Sequence, residues 1–284
     1  MVGGPRTVAV VRAATVVVLA VGLALPVGPV AAQAGNAQFA TLDQAAEFLR
    51  TAEIVEVVPV GRGTTSPDRA TLELGGVRAY AVFHDVDKIE RNIQVGEKRF
   101  RVFHDSYLAD CAAYELSRVL HIDGVPPTVE RAVGGRRGSL QLWIDDATTE
   151  EERAAASTRP PDATVFRRRI ALMRLFDNLI YNDDRHAGNI VIGPDWTVWL
   201  IDHSRAFQRP AELRDAGRVT QVERSFWDRL RTIPDAEIVA AVEPFLDERQ
   251  LEALLERRGL LVQHLEGLIA ERGEGAVLYD APQN

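Results

Sequence analysis

Apolar side chains at Ala45, Ala46, Phe48 and Leu49, entered through Thr41, have the spacing and cap of a short amphipathic helix over 41–50. From Ile54 to Val60 the pattern becomes that of a strand, and the turn-rich run Gly61-Arg62-Gly63-Thr64-Thr65-Ser66-Pro67 ends it. Arg69–Leu74 and Arg78–Phe83, parted by Gly75-Gly76, predict a hairpin. Helical spacing returns over 106–120, with Leu108, Cys111, Ala112, Leu116 and Val119 facing inward. Strands near 128–133 and 139–144 follow, joined by Gly134-Gly135-Arg136-Arg137-Gly138. The stretch 145–165 is acidic, then alanine-rich, then Arg159-Pro160-Pro161-Asp162, and predicts a linker or solvated loop. Beyond it Leu172, Leu175, Phe176 and Leu179 mark a helix from about Val165 to Tyr181, and 223–270 reads as several helices. The chain is thus α+β, with a β-rich first part (about 40–145), a linker (146–165) and a mostly helical second part (166–284). Val-Phe-His-Asp occurs at 82–85 and again at 102–105, too short an echo to signal duplication.

With 284 residues, 46% of them hydrophobic, the chain can bury a core of one medium domain or a two-lobed unit. Its net charge is −8. The first 34 residues contribute only Arg6 and Arg12, so the remainder stands at −10. Such a surface argues against a general electrostatic grip on nucleic acid. Those first residues have their own signature: Arg6 and Arg12, an apolar run Ala13–Leu25, the breakers Pro26, Gly28 and Pro29, and small residues at Ala32-Gln33-Ala34. This is the order of a secretory signal over 1–34, which predicts an exported protein, periplasmic or secreted. The apolar run is short for a membrane span, and a retained segment would be the chain's membrane contact. Cys111 is the one cysteine and reads as an inert core residue, and Lys88 and Lys98 are the two lysines. Oligomeric state has no signature in the sequence.

The segment richest in chemistry is 181–207. Asn189 opens an apolar strand ending at Ile192, Gly193–Trp196 is turn material, and Thr197–Ile201 is a return strand. A turn centred between Asp195 and Trp196 sets Val191 opposite Leu200 and Asn189 opposite Asp202. Directly opposed residues have Cβ atoms ~5 Å apart. An amide oxygen and a carboxylate would then stand side by side, hard ligands of the kind Mg²⁺ or Mn²⁺ takes when phosphates complete its shell. Asp184, five residues before Asn189, could orient a hydroxyl and accept its proton.

Asp184-Arg185-His186-Ala187-Gly188-Asn189, followed by Ile201-Asp202-His203, resembles the Asp-Arg-His-x-x-Asn loop and second metal ligand of the phosphatidylinositol kinases, the HipA-type kinases and the secretory-pathway (Golgi) kinases. The resemblance implies a two-lobed protein-kinase-like fold binding ATP with Mg²⁺ or Mn²⁺. It implies transfer of the γ-phosphoryl group to a hydroxyl-bearing acceptor, a protein, sugar or small molecule. Asp184 would be catalytic, with His186 steadying the loop or touching the phosphate, and Asn189 and Asp202 would hold metal. In the first lobe it implies nucleotide contacts from Gly61, Arg62, Gly63 and Thr64, from the strand ending at His84, from Asp110 on the helix, and from Trp143 leading to the adenine hinge.

The third strand departs from that family pattern. His84 stands where a kinase has lysine, with Asp110 better aligned than Glu115 as its acidic partner. Three readings follow: a shortened working pair, a cation supplied instead by Arg62, Lys88 or Lys98, or a nucleotide-binding pseudokinase that regulates a partner. Transfer of AMP is a further kinase-like alternative. Elsewhere, His84, Asp85, His104 and Asp105 read as solvated loop residues rather than a metal cluster, Arg136-Arg137 and Arg167-Arg168-Arg169 as solvated faces, and Trp196 and Trp199 as packing residues.

Overall fold

The protein is described by a computed structural model, which covers residues 38–61, 67–95 and 98–281. The expected signal at 1–34 and the loop residues Arg62, Gly63 and Thr64 lie outside that set.

The first part is a mixed layer of sheet and helix. Helix α1 (Leu42–Thr51) is capped by Thr41, whose hydroxyl accepts from the Gln44 amide, and it buries Ala45, Ala46, Phe48 and Leu49. Strands β1 (Glu53–Pro59), β2 (Asp68–Leu74) and β3 (Val77–His84) follow. Next come β4 (Asp87–Val95), β5 (Lys98–Ser106), helix α2 (Tyr107–Val119), β6 (Thr128–Val133) and β7 (Arg136–Leu142). Five of the strands form an antiparallel sheet in the order β1-β2-β3-β7-β6. Helix α2 packs on this sheet through Ala109, Ala112, Ala113 and Leu116, none more than 3% exposed. Truncating a buried leucine such as Leu116 to alanine costs about 2–5 kcal/mol. Gly138 in β7 lets β3 approach, because a Cβ there would meet the Phe83 ring at 2.6 Å.

The segment 85–105, for which the pattern predicts no element, forms the β4–β5 hairpin, a two-stranded sheet of its own. Consequently His84 and His104 are not solvated loop residues. Both are buried, at the end of β3 and within β5 respectively. Asp85 and Asp105 are taken up by Arg136 and Arg205. Arg136 is exposed, as expected, and on that face it reaches both Asp85 and Asp68 and lies over the Phe83 ring.

The second part begins inside the expected linker. Residues Thr148–Thr149 form a short strand, β8, and Glu150–Ala155 form helix α3 behind a capping box of Thr149 and Glu152. Helix α4 (Ala163–Leu179), capped by Asp162, leads to β9 (Ile190–Ile192) and β10 (Val198–Leu200), and β8 pairs with β9 to complete a three-stranded sheet. Strand β11 (Val222–Glu223) and helices α5 (Arg224–Thr232), α6 (Asp235–Val242), α7 (Glu248–Arg272) and α8 (Glu274–Val277) follow, and the short β12 (Leu278–Tyr279) returns to pair with β11. Among the described residues no helix is long and apolar enough to cross a membrane.

A contact at Gly124 ties these parts near the site, and Arg257 braces the second part from within. Gly124, at φ +110, accepts from the Leu200 amide at 2.7 Å, and a Cβ on it would lie 2.6 Å from the Val198 carbonyl oxygen. Arg257 of α7, fully buried, donates to the carbonyls of Leu179, Gln208 and Pro210. Burial lowers its pKa to about 10, so it remains charged at neutral pH.

Candidate functional site

The β9–β10 hairpin differs from the expected register by one residue. Ile192 pairs with Val198, Val191 with Trp199 and Ile190 with Leu200. The turn is longer than a two-residue one: the Gly193 amide donates to Thr197 and the Trp196 amide to Gly193, with Trp196 at φ +66. Asp195 stabilises it by accepting from the Thr197 amide and hydroxyl at 2.9 and 2.8 Å. Asn189 therefore meets Ile201, whose amide donates to the Asn189 carbonyl at 3.3 Å, and not Asp202. Asp202 lies one residue further on, at φ +56, where the chain leaves the ladder.

What holds Asp184, Asn189 and Asp202 in one neighbourhood is a network around Arg185. Its guanidinium, almost fully buried, pairs with Asp177 at 3.1 Å and donates to the carbonyls of Asn189 and Ile201 at 2.6 and 2.7 Å. It also donates to His203 Nε2 at 3.0 Å. Burial and the neighbouring Arg185 push the His203 pKa far down, so the ring stays neutral and can accept that bond. Asn189 is buried, and its side-chain nitrogen donates to the Asp184 carbonyl at 3.1 Å, leaving Oδ1 as its ligand-capable atom. The Asp184 carboxylate accepts from Arg205 at 3.2 Å.

Asp202 remains open to solvent on one side, although protein crowds the rest of its surroundings. That crowding raises its pKa. The charges of Asp110 and Asp184 add to the rise, while His84 and a 3.3 Å bond from Ser204 pull it back. A carboxylate whose pKa is raised by acidic neighbours is relieved by a cation. Among the described residues no three His, Cys, Asp or Glu side chains form a ready metal cage. A divalent ion here would take Asp202 and the Asn189 amide oxygen and depend on other oxygens for the remainder, which this donor set fits.

His84 faces Asp110, with Nδ1 3.3 Å from Oδ2. Glu115 instead faces Arg50 at 3.8 Å. Burial alone would lower the His84 pKa, but the bond and charge of Asp110, aided by Asp202 and Asp105, leave it raised above 6.5. Its Nε2 is buried without a partner. Asp110 accepts from three segments at once: His84 on β3, the Ser139 hydroxyl on β7 at 3.2 Å, and the His203 amide at 2.7 Å.

The remaining expected residues are more peripheral. Gly61 leaves β1 at φ +69, exposed, and the Val60 amide donates to Pro67 across the base of the β1–β2 loop. Half-buried Trp143 continues the sheet, its amide donating to Tyr80. His186 is exposed and caps its own loop, Nδ1 accepting from the Gly188 amide at 3.1 Å. Arg205 is the residue the sequence reading passed over. It joins Asp184 to Asp105 on β5 and lies over the Phe103 ring. Burial lowers its pKa, but Asp184, Asp105 and Asp202 raise it further, so its charge is secure.

Neither a protein-family model nor a curated protein matches the sequence. Solved structures do match in fold. Hydra Fam20 with sugar aligns over 85% of this chain and 93% of its own at 14% identity and a TM-score of 0.64. The Golgi casein kinase with Mn and ADP bound aligns over 86% and 80% at 17% identity and a TM-score of 0.58. A proinflammatory kinase of Helicobacter pylori, CtkA, aligns over 76% and 96% at 12% identity and a TM-score of 0.51. At such identities the likeness is one of architecture, and the chain has the kinase-like α+β fold of the Golgi kinases, β-rich first and helical second.

Proposed function

We propose that the protein is an exported, metal-dependent kinase that transfers the γ-phosphoryl group of ATP to a hydroxyl of a protein, sugar or small molecule. The observation that carries this reading is the convergence of Asp184, Asn189 and Asp202 through Arg185 and Asp110. In this reading Asn189 Oδ1 and the Asp202 carboxylate hold Mg²⁺ or Mn²⁺, which neutralises phosphate charge when bound. Asp184 orients the acceptor hydroxyl and takes its proton as oxygen bonds to the γ-phosphorus and ADP departs. His186 serves the loop, fixing the turn between Asp184 and Asn189. Gly61 opens the loop assigned to the phosphates, and Trp143 leads to the adenine. Support for nucleotide and metal use comes from the shared fold with a Golgi kinase whose structure holds Mn and ADP. Export rests on the composition of residues 1–34.

One observation favours a second reading, the nucleotide-binding pseudokinase. His84 turns Nδ1 toward Asp110 and buries Nε2, so the end of β3 presents no cation to a phosphate. Incubating the exported chain with Mn²⁺ and ATP and following its intact mass, alone and with candidate acceptors, decides between them. Gain of phosphate supports the kinase. Gain of AMP moves the assignment to nucleotidyl transfer. No gain, together with metal-dependent thermal stabilisation by ATP, makes it a pseudoenzyme.

A further inference from the structure

A second hollow, of about 780 Å³, lies between the β4–β5 hairpin, the segment after Gln208 and the start of α7. This is within the size range of small-molecule sites, roughly 300–1,000 Å³. Five arginines line it: Arg91, Arg99 and Arg101 from the hairpin, Arg209, and Arg249 from α7. The cluster is anomalous in a protein of net charge −8 whose other arginines are largely engaged. Arg214 has Asp183, Arg229 has Glu237, and Arg258 has Asp235. By contrast, the side chains of Arg91, Arg99, Arg101 and Arg249 are exposed and make no hydrogen bond, ion pair or ring contact with any described residue. Arg209 gives Nη2 to Asp247, while its Nε is buried with no partner. Glu212, Glu252 and Glu256 also line the hollow, and none forms an ion pair with these arginines.

Five guanidinium groups against three carboxylates leave the lining with an excess of positive charge, and an anion entering the hollow offsets that excess. The planar fork of arginine fits the oxygens of phosphate two at a time. A single carboxylate accepts too few bonds to engage five forks, whereas a ligand carrying two or more negative charges on phosphate oxygens accepts enough. We propose that this hollow binds a phosphate-bearing ligand of at least two negative charges, at a site separate from the Asp184–Asn189–Asp202 centre. The inference does not depend on the transfer reaction proposed above.

Calorimetric titration of the full chain with tripolyphosphate in EDTA tests it, because metal-dependent nucleotide binding is then silent. Wild type and Asp202→Ala should bind alike, and the Arg99→Ser/Arg101→Ser double variant at least about tenfold more weakly. Both residues are exposed, and an unfolding midpoint near that of wild type shows the double variant folded. Sedimentation with phosphatidylcholine vesicles, with and without phosphatidic acid, separates the two sources of such a ligand. Pelleting that requires phosphatidic acid and is lost in the double variant assigns a lipid headgroup. Tripolyphosphate binding without pelleting assigns a soluble phosphate compound. The proposal is overturned if neither probe binds, if binding survives in the arginine variant but not in Asp202→Ala, or if octaglutamate binds as tightly as tripolyphosphate.

Discussion

The two sides of the candidate centre are built on opposite plans. On the side of Asp184, Asn189 and Asp202, side-chain oxygens are left with capacity to accept while a buried arginine, Arg185, holds the backbone behind them. On the side of His84 and Asp110, the polar groups turn to each other: Asp110 accepts from His84, Ser139 and the His203 amide, while His84 Nε2 is buried without a partner. The first side has ligand capacity left over and the second has almost none. Under the proposed assignment, the metal-facing end of the kinase-like architecture is kept while the phosphate-facing end becomes a structural joint.

Predictions follow from breaking one side at a time. The largest effect belongs to the oxygen-bearing side. Asp184→Ala and Asp202→Ala should each lower phosphoryl transfer by at least about a thousandfold. They should differ in a binding assay: thermal stabilisation by Mn²⁺-ATP is lost in Asp202→Ala and retained in Asp184→Ala. If both variants keep it, the metal assignment is wrong.

Next in size is the frame behind those oxygens. Arg185→Met leaves Asp177 buried without its partner and should cost about 3–5 kcal/mol by denaturant unfolding. Adding Asp177→Leu should recover much of that loss, since the uncompensated charge disappears. If the double variant is no better than the single, the carbonyl bonds of Arg185 carry the stability rather than its ion pair.

The joint itself can be sharpened by His84→Lys, which extends a cation beyond the reach of imidazole. Michaelis constants for ATP should fall about tenfold, equivalent to about 1.4 kcal/mol. An unchanged constant would show that a phosphate contact comes from elsewhere.

The smallest effect is on pH dependence. The folded-state pKa of His84 lies above its ordinary 6.5, so its pairing with Asp110 contributes stability below about that pH. The contribution fades as pH rises through the folded value. Melting temperatures from pH 5 to 9 should show this decline in wild type and a flatter profile in His84→Phe. A profile in His84→Phe as steep as that of wild type would remove the histidine from the explanation.

Much of this contrast was legible in advance because it rests on local pattern. The strands of the five-stranded sheet, helix α2 and helix α4 declare themselves through period and caps, and Asp184, Asn189 and Asp202 through their spacing. The register error arose from the turn. Asp195 braces a longer connection around Trp196, and a two-residue assumption displaces every partner by one. The β4–β5 hairpin escaped because charged residues interrupt its apolar positions, Phe100 and Phe103 being buried against Tyr181 rather than against the main sheet. Arg205 escaped for another reason: its partners Asp105 and Asp184 are 100 and 21 residues away, and no local pattern carries such information.

The Gly124 contact has a mechanical meaning. Its carbonyl completes the hydrogen bonding of Leu200, and the space for any larger residue is taken by the backbone of Val198. A peptide wedged this closely works as a spacer, fixing how near the turn before β6 stands to the β9–β10 hairpin that leads to Asp202. A methyl group at position 124 would meet the Val198 carbonyl oxygen at 2.6 Å and push the turn and the hairpin apart, without touching any side chain of the centre.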